Sequence, residues 1–371
     1  MKKGSLKLYA WMGLLIFLIA VGVYAWSIQL NRGLIVTGMR EVIFWGIYIT
    51  NVIYFVGLAA GGLILVASVY IFGAERYKPL IRIGEVLAAI CVLLAMLFLL
   101  PDLGRPDRIL NMIFFAQVKS LIFWDFIVLS SYFLFTVIFG WLTMGKKVGP
   151  RGTLALSIIG LPLAVSIHSV TAWVFGLVKA RPFWHTAILA PVFISSAIVS
   201  ALGLLILTAI LTSKFVKIKI PLDAISGLGK ILAVIIPIDL FFLFCEILTV
   251  GYAIIPDHIE TLNLILLGPY ASIFWAEVIL VIIAFIAIVS PKRRVSISML
   301  IISSIFVLVA IWLKRFLILV PSITVSPIGE IGRYTPTWVE WTIVMGIYAL
   351  GMLLYTLATK FLPLQVEGGG V

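Results

Sequence analysis

The stretch that decides the fold is residues 296–320, SISMLIISSIFVLVAIWLKRFLILV, in which only Lys314 and Arg315 carry charge. A helix needs about 20 mostly apolar residues, at about 1.5 Å rise per residue, to cross a bilayer core. This run is long enough and too apolar for water. Working outward, the same rule picks out nine more: roughly 9–29, 42–72, 84–103, 120–144, 153–178, 188–213, 229–254, 269–290 and 338–361. The chain has 371 residues, 63% hydrophobic and 11% charged, whereas soluble domains carry about 25% charged residues. The expectation is an all-α integral membrane protein of about ten transmembrane helices, with residues 1–371 forming a single polytopic membrane domain.

The formal net charge of +12 does not point to nucleic acid. Its 27 Lys and Arg fall in short clusters between apolar runs, as the positive-inside rule requires, so the bilayer is the partner. Ten helices put both termini on one side. Seventeen of the basic residues lie on that side and ten on the other, which predicts cytoplasmic termini in the cell membrane and outward loops at 101–119, 255–268 and 321–337. The first run lacks a small-x-small cleavage site and reads as a retained helix. The tail Glu367–Val371 reads as disordered. Cys91 and Cys245 both lie inside apolar segments, so neither a disulfide framework nor a zinc or iron–sulfur site is expected from this chain. Any metal cluster belongs to a partner.

Ionisable groups inside a bilayer are costly and are functional candidates by default. His168, Asp239, Glu246 and Arg315 lie in helices that run outward, Asp125 near the start of one that runs inward. Their depths converge on the outer half of the membrane. This combination suits quinone chemistry, in which two protons move with two electrons. His168 can give or take a proton near neutral pH, Asp239 or Glu246 can relay it, and Arg315 can orient a carboxylate or stabilise developing negative charge. The alternatives stand beside these readings. His168 can be a satisfied packing residue, and Asp125, next to Trp124, can compensate a helix N-terminus or join the site. Lys314 is expected to snorkel outward, Glu277 to be structural, Asn51 to make an interhelical hydrogen bond, and Gly57–Gly62 to form a packing face. In the loop, Asp102 is expected to pair with Arg105 or Arg108 as a structural staple. Trp184 and His185 are expected at the outer interface. Three histidines, His168, His185 and His258, do not supply paired axial ligands for haem, and Cys-x-x-Cys-His is absent. A proton-conducting or purely anchoring membrane subunit remains the competing class.

Four stretches resemble the ten-helix branch of the NrfD/polysulfide reductase membrane-subunit family: Trp45-Gly-Ile-Tyr48 with Val56–Gly62; Asp102-Leu-Gly-Arg-Pro-Asp-Arg108; His168–Gly176 with Arg181–Ala187; and Lys314–Pro321. The resemblance implies two four-helix bundles, helices 2–5 (about 42–178) and helices 6–9 (about 188–320), with flanking helices. It implies a subunit without haem or metal that exchanges electrons between a quinone pool, menaquinone above all, and a ferredoxin-like iron–sulfur subunit on the outer face. Similar members serve in hydrogenase, alternative complex III and Dsr complexes, so molybdopterin, cytochrome c, hydrogenase or Dsr-type subunits are the further partners implied. His168, Asp239 and Arg315 match family positions at the quinone pocket. Phe183 departs from the pattern, since many relatives carry Gly between Pro and Trp.

Overall fold

The structure, a computed structural model, describes residues 3–181, 183–216, 218–253, 256–325 and 332–365. The tail expected to be disordered, Glu367–Val371, lies outside them. Ten long helices account for most of the described chain: α1 (Lys3–Arg32), α2 (Ile47–Tyr70), α3 (Ile81–Asp102), α4 (Leu121–Met144), α5 (Pro150–Gly176), α6 (Leu189–Val216), α7 (Leu222–Ala253), α8 (Ala271–Val289), α9 (Ile297–Thr324) and α10 (Trp338–Phe361). Helices are the outcome because a bilayer offers backbone amides no water, so each segment must satisfy its own hydrogen bonds. No β-strand occurs among the described residues.

Helices α2 to α5 pack on one another, as do α6 to α9, and the two sets meet where α2 and α5 lie against α6 and where α2 touches α9. Helices α1 and α10 pair with each other, and α10 leans on α3. Small residues permit the closest approaches. A Cβ on Gly61 would sit 2.3 Å from Ala201 Cβ, and one on Gly62 would sit 2.1 Å from the Gly84 carbonyl, so α2 can meet α6 and α3 this closely only with glycine there. The packing face expected at Gly57–Gly62 is therefore present. Asn51 also does what its sequence position suggests. Its Oδ1 accepts from Trp312 Nε1 at 3.1 Å and Tyr348 OH at 2.8 Å, tying α2 to α9 and α10.

Two boundaries differ from expectation. Helix α7 begins at Leu222 rather than near 229, because Pro221 marks its start and Arg76 Nη2 donates to the Asp223 carbonyl at 2.6 Å; charge at 223 and 230 did not interrupt the helix. The loop expected at 255–268 contains an amphipathic helix, Pro256–Leu266, whose Leu262 and Ile265 are buried.

The segments before α2 and before α10 are held by the start of α10. Its Thr337 and Glu340 form a capping box. Glu340 also accepts from Gly38 N–H at 2.7 Å and from Tyr334 OH at 2.6 Å, and the Tyr334 oxygen accepts the Ile47 N–H at 2.8 Å. Burial, reinforced by the Glu340 carboxylate, pushes the Tyr334 hydroxyl far above its ordinary range. It stays protonated and donates.

Candidate functional site

Lys314 and Arg315 are neighbours on α9, and consecutive helical residues point about 100° apart. Here that difference turns the two cations to different neighbours, Lys314 to α7 and α8 and Arg315 to α6. Lys314 is buried, 2% exposed, with Nζ 2.5 Å from Asp239 Oδ2 on α7 and 3.5 Å from Glu277 Oε1 on α8. Asp239 also accepts from Ser195 Oγ of α6 at 2.8 Å. Glu246, a further two turns along α7, lines with Lys314 and Glu277 a cavity of about 40 Å³. The Glu277 Oε1 atom is buried without a hydrogen-bond partner. Lys314 therefore does not snorkel. It sits ten residues from the helix end at Thr324, about 15 Å at 1.5 Å per residue, too far for its stem to reach the interface. Glu277, expected to be merely structural, belongs to this ionic set.

Arg315 turns the other way. Its Nη2 donates to Ser196 Oγ at 2.8 Å and to the Phe193 carbonyl at 3.2 Å, and its Cζ lies 4.2 Å over the Phe193 ring. Among the described residues, no carboxylate meets it in hydrogen-bond contact. Nε and Nη1 are buried and unpartnered. His168, also buried, places Nδ1 3.0 Å from the Ala164 carbonyl. A carbonyl only accepts, so the neutral ring carries its hydrogen on Nδ1 and leaves Nε2 an acceptor. The ring also meets the Gly57 backbone, in a contact too poor in geometry to count as a hydrogen bond to Nε2. The Gly57 backbone lies beside both side chains. One turn beyond His168, Thr171 Oγ1 donates to Asp125 Oδ1 at 2.6 Å, which fixes α4 against α5.

Aromatic rings continue outward from the guanidinium. Phe193 packs with Phe175 at 6.2 Å between centroids, Phe175 with Trp184 at 5.2 Å, and Trp184 stacks on Trp45 at 6.2 Å. Trp184 is thus interior, 1% exposed, with Nε1 donating to the Ile318 carbonyl at 2.7 Å. It is not the interfacial anchor expected, because the 177–188 turn folds back between α5 and α9. His185 Nδ1 caps the Gly176 carbonyl at 3.1 Å. Trp124, at the start of α4, is exposed and its Nε1 donates to the Val118 carbonyl at 2.8 Å.

The sequence-predicted residues therefore fall into two groups. His168, Arg315 and Asp125 lie on the α2/α5/α6/α9 side; Asp239 and Glu246 lie with Lys314 and Glu277 on the α7/α8/α9 side. The Asp102 staple is not formed as expected. Arg105 instead makes a bidentate pair with Asp107, at 3.1 and 3.0 Å, while Asp102 Oδ1 is buried without a partner. The Arg105 guanidinium holds the exposed Asp107 carboxyl below its usual range. Arg108 is exposed. Among the described residues, no group of three or more His, Cys, Asp or Glu is placed to hold a metal ion. A second cavity, of about 140 Å³ and without ionisable lining, lies between α1, α3 and α10 beside Trp26 and Pro101.

The family model described as polysulphide reductase, NrfD, matches residues 35–327. A putative dimethyl sulfoxide reductase membrane subunit of Halobacterium salinarum is 32% identical over 96% of this chain and 91% of its own length. An Hdr-like menaquinol oxidoreductase integral membrane subunit of Archaeoglobus fulgidus is 28% identical over 98% and 95%. A selenate reductase subunit of Mesobacillus selenatarsenatis is 26% identical over 94% and 92%. With a family match that runs from the loop before α2 past the end of α9, taking in both faces of the Lys314–Arg315 pair, this chain belongs to the NrfD polysulphide reductase family.

Proposed function

We propose that the chain is the quinone-reactive membrane subunit of a respiratory redox complex, exchanging electrons between a menaquinone pool and a partner subunit on the outer face. The observation that carries this reading is the set of unpartnered buried atoms: His168 Nε2 and Arg315 Nε and Nη1. Buried polar groups normally find partners, and an unsatisfied one costs about 1–3 kcal/mol. A quinol supplies what is missing. One hydroxyl donates to His168 Nε2, the oxygen across the ring accepts from the Arg315 guanidinium, and the Phe193 and Phe175 rings supply a flat apolar wall. Oxidation releases two protons and two electrons. His168 takes one proton at Nε2, the second leaves by way of the carboxylates Asp125 or Asp239, Arg315 holds the oxygen whose charge changes, and both electrons pass to a ferredoxin-like iron–sulfur partner. Asp125 on α4 is held by Thr171, one turn beyond His168 on α5, and Asp239 stands on the Lys314 side.

The menaquinol in the name of the Archaeoglobus relative supports the substrate class, and the reductase subunits among the relatives support a multi-subunit assembly, with molybdopterin, cytochrome c, hydrogenase or Dsr-type members as further partners. Residues 1–371 then act as one membrane domain with both termini cytoplasmic, and the subunit itself carries no haem. A cysteine introduced at Asp257 should react with an impermeant thiol reagent outside intact cells and one at Lys146 should not; the reverse pattern overturns the orientation. The purified chain should lack a haem Soret band. The deciding measurement is quinol-dependent reduction of the partner's clusters in the assembled complex carrying His168→Ala or Arg315→Lys. Wild-type rates in both leave the anchoring alternative standing.

A further inference from the structure

The ionic set around Lys314 is overfilled with negative charge. Three carboxylates, Asp239, Glu246 and Glu277, are 8% exposed or less. Asp239 and Glu277 pair with one cation, Lys314, Glu246 lines the cavity beside it, and even counting Arg315, which faces away, three negatives meet two positives. An uncompensated charge in this environment is strongly disfavoured, so the set holds at least one proton. Glu277 is the weakly held member: its buried Oε1 has only the 3.5 Å ion pair to Lys314 and no hydrogen bond of good geometry, and its side chain lies on the wall of the cavity of about 40 Å³. A cavity needs roughly 10–15 Å³ of this kind to admit a water, so there is room for a few waters and none for a quinone ring.

The surroundings define a direction of exchange. Helix α6 contributes the Ser195 hydroxyl and no charged group at this level; its only ionisable residue is Lys214. Helix α7 contributes Asp239 and Glu246, α8 Glu277, α9 Lys314. The Pro256–Leu266 helix closes the cavity with Leu262 and Ile265, and the 177–188 turn with Phe183. Glu277 lies six residues from the start of α8 at Ala271, about 9 Å at 1.5 Å per residue, and the covering helix immediately precedes α8. Water therefore has its shortest route to the carboxylates at that end.

We infer that Asp239, Glu246, Glu277 and Lys314 form a proton-storing site, separate from the His168–Arg315 side, that binds one exchangeable proton through Glu277 and Glu246 and exchanges it through the cavity under the Pro256–Leu266 helix. The site stands on its own geometry. Within the proposed function it would receive a proton leaving the quinol side, since Ser195 on Asp239 and Ser196 on Arg315 are adjacent residues.

The test uses the purified full chain in lipid nanodiscs, without partner or quinone. Infrared difference spectra are recorded as pH is stepped, in H2O and D2O. The expected result is a protonated-carboxyl band that shifts in D2O, disappears as pH rises, and is lost or displaced in Glu277→Gln and Glu246→Gln while persisting in His168→Ala. Gln is isosteric with Glu; if one variant does not fold, the other carries the test. Spectra unchanged in a folded variant overturn the proposal, as does a band that follows sodium concentration at fixed pH, which would make the site a cation site. Because His168→Ala is scored here by the band and in the assembled complex by electron transfer, loss of the quinone reading and loss of the proton site are separable.

Discussion

Residues 314 and 315 are one step apart on α9 and make different direct contacts. Lys314 meets two carboxylates and helps to line a small cavity; Arg315 meets a serine, a carbonyl and an aromatic face, and keeps two nitrogens free. The first arrangement lacks positive charge and accommodates protons. The second lacks acceptors and accommodates a ligand that brings them. A membrane interior enforces this division, because a guanidinium and a carboxylate set left in contact would saturate each other and leave nothing for a substrate to complete.

The largest expected effect lies on the arginine side. His168→Ala removes the bare acceptor and should lower quinol-dependent electron transfer by a factor on the order of 10²–10⁴, with assembly intact. Arg315→Lys should also fail, since a point-charge ammonium cannot present a planar fork to the ligand. If His168→Ala leaves the rate alone while Lys314→Met abolishes it, the two faces have been assigned the wrong way round.

On the lysine side the effect should appear in stability. Lys314→Met leaves Asp239 and Glu277 without their cation, and breaking a buried pair by removing one partner costs about 3–5 kcal/mol. Lys314→Met combined with Asp239→Asn should recover much of that loss, because the uncompensated charge disappears with the second change. Thermal unfolding of both variants in the same detergent measures it. A double variant as unstable as the single one would mean that packing, not charge, holds this face.

How much of this was legible in the sequence follows from helix geometry. Ten apolar runs gave ten helices because length and apolarity are one-dimensional properties. Depth is legible for the same reason, and His168, Arg315, Asp239 and Glu246 were all found from position along a run. Azimuth was not. Most of these helices are apolar on all sides, as buried helices are, so nothing in the run around Lys314 says that it turns toward α7 and α8 while Arg315 turns toward α6. That is why Lys314 read as a snorkelling residue and Glu277 as structural. The Asp102 staple failed differently: in a turn containing Asp102, Arg105, Asp107 and Arg108, several pairings are equally near in sequence, and the one that forms is Arg105 with Asp107. Trp184 was misplaced because a tryptophan near a helix end reads as an anchor whether its turn faces outward or folds inward.

A smaller effect tests the frame that holds the two faces together. Asn51→Leu removes the acceptor shared by Trp312 Nε1 and Tyr348 OH and leaves both donors unsatisfied, at about 1–3 kcal/mol. Because Trp312 precedes Lys314 by half a turn on α9, the variant should also lower electron transfer modestly, through position and not chemistry. Loss of stability with an unchanged rate would show that α9 keeps its rotation without this bond.

The smallest effect sets the interior pair against an exterior one. Arg105–Asp107 has good bidentate geometry, yet both side chains are largely exposed, and solvent-exposed pairs contribute little. Its sign is fixed nonetheless. The guanidinium lowers the Asp107 carboxyl below its unfolded value, so the stabilisation is present above the unfolded carboxylate pKa and is lost as pH falls through the lower, folded one. Asp107→Asn should therefore unfold marginally earlier than wild type near neutral pH, match it in strong acid, and match it again in high salt, where exposed charges are screened within a few Å. The Lys314–Asp239 pair, shielded from mobile ions, should show no such salt dependence. A salt-sensitive unfolding difference in Lys314→Met as large as that in Asp107→Asn would mean that ions reach the buried set, and the division between the two kinds of pair would fall.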